Sequence, residues 1–297
     1  RHICLRKVVP ERICELIERE GVTHLCGAPV VVASLTRYCQ AEGIRFGGRL
    51  KIVTAGAPPS PAVIRAAEEI GADVSHVYGL TETYGPHTIC AWHPEWDALP
   101  VGERAELKAR QGVAYAFAGM DLRVVDQHMN DVPADGRTMG EIIMRGNNVM
   151  LGYYKDPEGT AQAFRGGWFH SGDIAVMHPD GYVEIRDRKK DIVISGGENI
   201  SSVEVEKVIY EHPAVAEAAV IAVPDERWGE VPQAHVDLRP GSQASAEELI
   251  EFCRQRLAHF KCPKHVVFGP LPKTATGKVR KSELRKVAWA GFEKRVN

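Results

Sequence analysis

The chain has 297 residues, 44% hydrophobic and 26% charged, which suits a globular protein of about two domains at ~150 residues each. Thirty-seven Lys and Arg against 39 Asp and Glu leave a formal charge of −2, so no global field favours nucleic acid or an anionic membrane. Apolar runs such as residues 214–224 are too short to span a bilayer.

The seven cysteines form no CxxC pair, the twelve histidines show no ligand spacing and no HExxH occurs, which argues against a zinc site. Scattered thiols read as reduced and partly buried, the pattern of an intracellular, cytoplasmic protein. The chain opens at Arg1 without a methionine or a secretory pattern, so a processed or partial chain is expected.

In chain order, Pro10–Glu20 reads as a helix, with an early proline, Ile13, Leu16 and Ile17 at helical spacing and Gly21 as the stop. Residues 22–26 read as a strand, 31–42 as a helix ending at Gly43, and Leu50–Thr54 as a strand. Ser60 caps a helix over 61–70, and 74–77 form another strand. This alternation predicts a parallel sheet covered by helices. Three strands run into Gly27-Ala28-Pro29, Gly56-Ala57-Pro58 and Gly79-Leu80-Thr81-Glu82, where small residues let backbone approach a ligand. Each alone is equally a tight turn; the three together favour a binding crevice.

From about Met120 the period becomes two, and strands are expected at 122–126, 141–145, 174–178 and 182–187, with Asp135-Gly136 and Asp180-Gly181 as turns. The stretch from Asp187 to Ile200 (DRKKDIVISGGENI) passes from charge to an apolar run to a glycine pair, unlike a Gly/Ser or Pro-rich spacer, and reads as a working hinge. Beyond it, Ser201 and Glu204 form a capping box for a helix to 211. Strands follow at 215–223 and 233–239, a helix capped by Ser245 and Glu248 to 258, a strand at 266–268 and a last helix over 282–295. This second region is a compact α+β pattern.

Tyr78-Gly79-Leu80-Thr81-Glu82, Ser171-Gly172-Asp173, the 187–200 stretch and Pro272-Lys273-Thr274-Ala275-Thr276-Gly277-Lys278 stand in one order along the chain. Together they resemble the signature motifs of the adenylate-forming (AMP-binding) superfamily: acyl-CoA synthetases, firefly luciferase and nonribosomal-peptide adenylation domains. The resemblance covers the carboxyl half of such enzymes. It implies an α/β fold in which residues 1–187 end a large domain (1–97 α/β, 98–187 β-rich). Residues 188–297 would be a small mobile α+β domain with its hinge at Lys190.

The implied activity is acid–thiol ligation. A small carboxylic acid and ATP give an acyl-adenylate and pyrophosphate, then coenzyme A takes the acyl group. Two anions meet in the first step, so fixed positive charge and Mg²⁺ are needed at the α-phosphate. By the resemblance, Thr81 meets phosphate and Glu82 holds Mg²⁺; Gly56, Ala57, Pro58, Tyr78 and Gly79 surround ATP or AMP. Asp173 accepts from both ribose hydroxyls with Arg188 assisting, as suits an acceptor-only carboxylate. Lys278 bridges the attacking carboxylate and the α-phosphate, and Gly196 and Gly197 let the pantetheine arm pass. The small domain would swing about Lys190 between the two half-reactions.

Read without the family, Lys278 is a solvated lysine, the glycine pair a simple turn and Trp228 a packed tryptophan; Arg280, Lys281, Arg285 and Lys286 form a solvated helix face. A Walker loop is excluded, because Pro272 and Val279 stand where it needs glycine and Ser or Thr. Ser171 replaces the family's commoner threonine. The family's Ser/Thr/Gly-rich loop for the β- and γ-phosphates, upstream of Tyr78, is not in these residues. Without it, a non-catalytic nucleotide- or CoA-binding fragment stays open, as does an enzyme loading a carrier protein. Residues 91–96 and 103–112 are similar to a branch handling short- and medium-chain or aromatic acids, including methylmercaptopropionate and benzoate ligases; on their own, 103–112 read as an exposed charged helix. A homodimer is compatible with the resemblance.

Overall fold

The computed structural model describes residues 1–115, 119–274 and 279–292. The chain divides into two compact units, residues 1–171 with 175–185, and residues 172–174 with 186–297.

The first unit opens with α1 (Pro10–Glu20), whose proline sits in the first turn and whose Ile13, Cys14, Leu16 and Ile17 are buried on one face. Gly21, at φ 64, ends it by donating to Ile17 O, a left-handed cap that glycine adopts without strain. Then come β1 (His24–Cys26), α2 (Pro29–Glu42), β2 (Leu50–Thr54), α3 (Pro61–Glu69) and β3 (Ala72–Leu80). β1, β2 and β3 are parallel neighbours, with Ile52 opposite Leu25 on one side and Val74 on the other. The expected parallel sheet is thus present, though β3 runs three residues beyond the expected end.

Leu35, Leu50 and Ile52 are fully buried in its core, each burial stabilising by about 1.5–3 kcal/mol. β4 (Gly85–Ile89) and β5 (Val113–Ala114) extend the sheet antiparallel. Neither was anticipated, because Gly85-Pro86-His87-Thr88 lacks the apolar alternation that marks a strand.

Helix α4 (Val101–Ala109) corrects the expectation of an exposed charged helix. Ala105 is fully buried, and Lys108 Nζ lies 3.0 Å from Glu68 Oε1 and 2.9 Å from Asp73 Oδ1, while Arg104 reaches Glu68. Arg104 and Lys108 thus bind it to α3 and β3, while Glu103 and Glu106 stay exposed.

The period-two segment forms a four-stranded sheet, in order β6 (Asp121–Val125), β7 (Met139–Arg145), β8 (Phe169–Met177) and β9 (Val183–Arg188). Asp180-Gly181 makes the β8–β9 turn, where His178 N donates to Tyr182 O at 2.9 Å. A short α5 (Pro157–Ala163), capped by Asp156 accepting from Gly159 N, precedes β8.

In the second unit, β10 (Val193–Ser195) and β11 (Glu198–Ile200) form a hairpin, followed by α6 (Ser202–Tyr210), β12 (Val215–Asp225) and β13 (Gly229–Leu238). α7 (Ala246–Arg254), β14 (His265–Phe268) and α8 (Lys281–Ala288) complete it. The sheet order is β11-β10-β13-β12, with β14 parallel to β13. Ser201 caps α6 by accepting from Glu204 N at 3.1 Å, and Ser245 and Glu248 make the full reciprocal box on α7. Leu284 and Ala288 of α8 pack on Ile221, Val223 and Val231, and Trp289 Nε1 donates to Ala222 O.

The basic tail also departs from expectation. Arg280 is exposed, but Lys281 and Arg285 turn inward: Arg285 is 8% exposed and pairs with Asp191. A cation leaves water only for a carboxylate partner, and both have one.

Candidate functional site

In the first unit, the carboxyl ends of adjacent parallel strands β2 and β3 deliver Gly56-Ala57-Pro58 and Tyr78 to Glu82 at one edge of the sheet. That edge is where open α/β sheets bind ligands. Gly56, at φ 89, turns the chain, and Gly56, Ala57 and Pro58 are all exposed. Ser60 follows, accepting from Val63 N at 3.3 Å to start α3. Tyr78 is 9% exposed and packs with Val124, Ile142 and Phe169, so its ring is also core.

Gly79 has a structural duty of its own. A Cβ there would lie 1.9 Å from Gly85 O and 2.9 Å from Pro86 Cα, so only glycine lets β4 approach.

Thr81, Glu82 and Thr83 form a single 3-10 turn closed by Tyr84 at φ 54. Buried Thr83 fixes it: its Oγ1 accepts from Leu80 N and donates to Gly85 O, both at 2.9 Å. This leaves Thr81 exposed and Glu82 half-buried. The segment after β7 clamps the same turn. Tyr153 Oη donates to Glu82 Oε1 at 3.1 Å, Met150 N donates to Glu82 O at 2.7 Å, and Asn148 Nδ2 donates to Thr83 O at 2.8 Å. Burial, and then the Glu82 carboxylate, push the Tyr153 hydroxyl above its usual pKa, keeping it a donor. None of these three residues was singled out in the sequence. The Gly152-Tyr153-Tyr154 triplet was the one available hint.

The second unit holds Asp173, Arg188, Lys190, Gly196 and Gly197. Asp173, 4% exposed on β8, meets Arg188, whose Nε lies 3.3 Å from Asp173 Oδ1. Lys190 is exposed in a 3-10 turn over Lys189–Asp191. Gly196 (φ 60) and Gly197 (φ 91) are the two-residue turn between β10 and β11, with Ser195 paired to Glu198. Two successive left-handed residues are what a tight hairpin needs.

Trp228 packs directly on that turn. Its carbonyl accepts from Gly196 N at 2.8 Å, and a Cβ at Gly196 would lie 2.7 Å from its ring. The ring is 41% exposed, with the Arg227 guanidinium 4.7 Å from its centroid. Fully buried Glu230 accepts from Ile194 N, anchoring β10.

Lys278 lies outside the described residues, as do Ala275, Thr276 and Gly277. Among the described residues on either side of them, Lys273 forms a β-bridge with Val279, and Arg280 N donates to Pro272 O at 2.8 Å.

Chemically, the Thr81–Glu82 turn offers a hydroxyl and a carboxylate with one oxygen already oriented. Among the described residues no group of three His, Cys, Asp or Glu could hold a metal ion. The thiols offer no nucleophile in the interior, since burial pushes Cys14, Cys90 and Cys253 up to about 12. No helix among the described residues is long and apolar enough to cross a membrane.

Family profiles match in both parts of the chain: AMP-binding enzyme over residues 2–154, and AMP-binding enzyme C-terminal domain over residues 204–278. The chain is 54% identical over 293 residues to 4-hydroxybutyrate–CoA ligase 2 of Metallosphaera sedula, covering 99% of this chain and 53% of that protein. It is 55% identical over 291 residues to acetate–CoA ligase CCL3 of Humulus lupulus, covering 96% of this chain and 51% of that protein. Among solved structures, ATP-bound MatB from Rhodopseudomonas palustris superposes with a TM-score of 0.82 at 32% identity, over 98% of this chain and 55% of that one. The chain thus spans about half the length of the curated relatives it matches.

Proposed function

Because the chain belongs to the AMP-binding enzyme family, we propose that it forms part of an ATP-dependent, AMP-forming acyl-CoA synthetase acting on a short carboxylic acid. The observation that carries this reading is the Thr81–Glu82 turn, held by Thr83 and Tyr153 at the sheet edge beside the Gly56-Ala57-Pro58 loop. The short acid is suggested by the relatives, whose names specify acetate and 4-hydroxybutyrate.

In the first half-reaction a carboxylate oxygen attacks the α-phosphorus of ATP, and the bond to the bridging oxygen breaks as pyrophosphate leaves with the electron pair. Thr81 donates to phosphate oxygen, and Asp173, oriented by Arg188, accepts from the ribose hydroxyls. The Lys278 ammonium offsets the charge that gathers between the two anions. Glu82 would hold Mg²⁺, which neutralises phosphate charge; a single oriented carboxylate suits an ion that takes most of its other ligands from phosphate and water. In the second half-reaction the coenzyme A thiolate attacks the acyl carbon and AMP departs with the carboxyl oxygen it gained. The thiol ionises near ~8.5, so deprotonation near neutrality is cheap and no protein nucleophile is required. Gly196 and Gly197 pass the pantetheine arm beside Trp228, and Lys190 is the pivot between the two steps. Seven free cysteines suit a reduced, intracellular compartment.

The test is AMP release by the full-length polypeptide across a panel of carboxylates, with coenzyme A present, absent or replaced by a carrier protein. The reading expects AMP release that depends on a short acid and on coenzyme A. Release of ADP, or turnover only with a carrier protein, overturns it.

A further inference from the structure

His87, on β4, is fully buried, and the proposed reaction gives it no role. Its Nε2 lies 2.9 Å from Asp121 O. A carbonyl only accepts, so Nε2 carries the proton and Nδ1 is bare. Burial holds the imidazole pKa below its usual range, which favours this neutral form. Asn148 Nδ2 lies 3.2 Å from that bare nitrogen and 2.8 Å from Thr83 O. Both partners only accept, so both amide hydrogens are engaged and the amide has one orientation. Turned over, its Oδ1 would face the Thr83 carbonyl oxygen.

Thr83 is the last residue of the 3-10 turn that carries Thr81 and Glu82. Its hydroxyl ties the turn to Leu80 N and Gly85 O, in the flanking chain. Its carbonyl is held from elsewhere in the fold, by the segment that follows β7. Asn148 makes the first of that segment's contacts with the turn, ahead of Met150 N on Glu82 O and Tyr153 Oη on Glu82 Oε1. His87 meets the segment at this first contact and is itself fixed from the start of β6.

Resting on the acyl-CoA synthetase reading, we infer that His87, acting through Asn148, is a positioning residue for the Thr81–Glu82 turn. The path runs from Asp121 O through the imidazole and the Asn148 amide to Thr83 O. Without an acceptor at Nδ1 the amide is free to rotate, and Thr83 O loses its donor. The Glu82 carboxylate then sits on a slacker turn. A misplacement of about 1 Å at a reacting group costs about a hundredfold in rate, and a smaller one costs less. Adenylation, the step that uses Thr81 and Glu82, is therefore the one that slows.

The experiment uses the full-length enzyme with His87→Gln, His87→Asn, Asn148→Ala and the double variant of His87→Gln with Asn148→Ala. Glu82→Gln is measured alongside. His87→Gln keeps a donor for Asp121 O but puts no acceptor where Nδ1 stands, whereas His87→Asn puts its oxygen there. Pyrophosphate release titrated with Mg²⁺ reads adenylation, and thioester formation is read from supplied acyl-adenylate and coenzyme A. For His87→Gln and Asn148→Ala the kcat of adenylation is expected to fall about tenfold, with a Mg²⁺ midpoint about threefold higher. The KM for the acid and the rate of thioester formation should stay within about twofold. His87→Asn should recover most of the loss, and the double variant should be no slower than Asn148→Ala, because both residues lie on one path. Equal rates in His87→Gln and His87→Asn, additive losses in the double variant, or equal loss in both half-reactions overturns the inference. If neither His87 variant folds, Asn148→Ala carries the test, and an unchanged adenylation rate and Mg²⁺ midpoint there overturn it. If Glu82→Gln itself leaves the Mg²⁺ midpoint unmoved, the underlying reading has failed; if it shifts the midpoint and the other variants do not, only the positioning role has.

Discussion

Gly79→Ala is expected to damage the fold rather than nucleotide binding. The added Cβ would meet Gly85 O at 1.9 Å, the Gly85 carbonyl carbon at 2.7 Å and Pro86 Cα at 2.9 Å. All three are backbone atoms, so no rotamer change relieves the overlap. Restoring van der Waals contact moves β4 by about 1.5 Å, and overpacking of this kind costs about 1–3 kcal/mol. The shift also strains the pairing of Leu80 with Gly85, worth about 1 kcal/mol per hydrogen bond. A total near 3 kcal/mol lowers the melting temperature by about 6 °C or more for a unit of this size. The assay is thermal unfolding of the full-length enzyme beside its KM for ATP. An unchanged melting temperature with a raised KM would refute the argument, by showing that Gly79 serves the nucleotide and not the strand.

Tyr153→Phe removes the hydroxyl on Glu82 Oε1, a loss of about 1 kcal/mol, and should slow adenylation about fivefold with a higher Mg²⁺ requirement. Pyrophosphate release titrated with Mg²⁺ checks this, and an unshifted Mg²⁺ midpoint would count against Glu82 as its ligand. Burial lowers the pKa values of His76 and His87, so both stay neutral when folded while the unfolded chain takes up protons below about 6.5. Their contribution to stability is complete above that pH and is lost as pH falls. Melting temperatures between pH 7.5 and 5 should decline, and less steeply in His76→Gln; parallel profiles would exclude His76 as a source.

Much of the architecture could be read from local chemistry. Pro10 and Gly21 bracket α1, and Ser60, Ser201 and Ser245 mark helix starts that the structure reproduces. What escaped was decided by partners distant in sequence. Nothing near Lys281 or Arg285 announces Glu206 or Asp191, so a basic run read as solvated. α4 misled in the same way, because Glu68 and Asp73 lie far upstream of Lys108. β4 was hidden by its glycine and proline and by His87 and Thr88, polar residues that are buried through hydrogen bonds rather than by apolar pattern. The candidate site shows the same division. Thr81, Glu82, Asp173 and Arg188 stand out by motif, whereas Tyr153 and Asn148 become visible only where β7 and α5 bring their connecting segment against the turn.

The central claim is that one chain serves two separable half-reactions, and Lys278→Ala in the full-length enzyme tests it most directly. Rapid-quench measurement of acyl-adenylate from acid and ATP, set beside thioester formation from supplied acyl-adenylate and coenzyme A, reads the two steps independently. The account predicts that adenylate formation is abolished, with a loss of several kcal/mol in transition-state stabilisation on the order of an oxyanion-hole deletion, while thioester formation is largely spared. Equal loss of both steps, or an intact adenylation step, would contradict it.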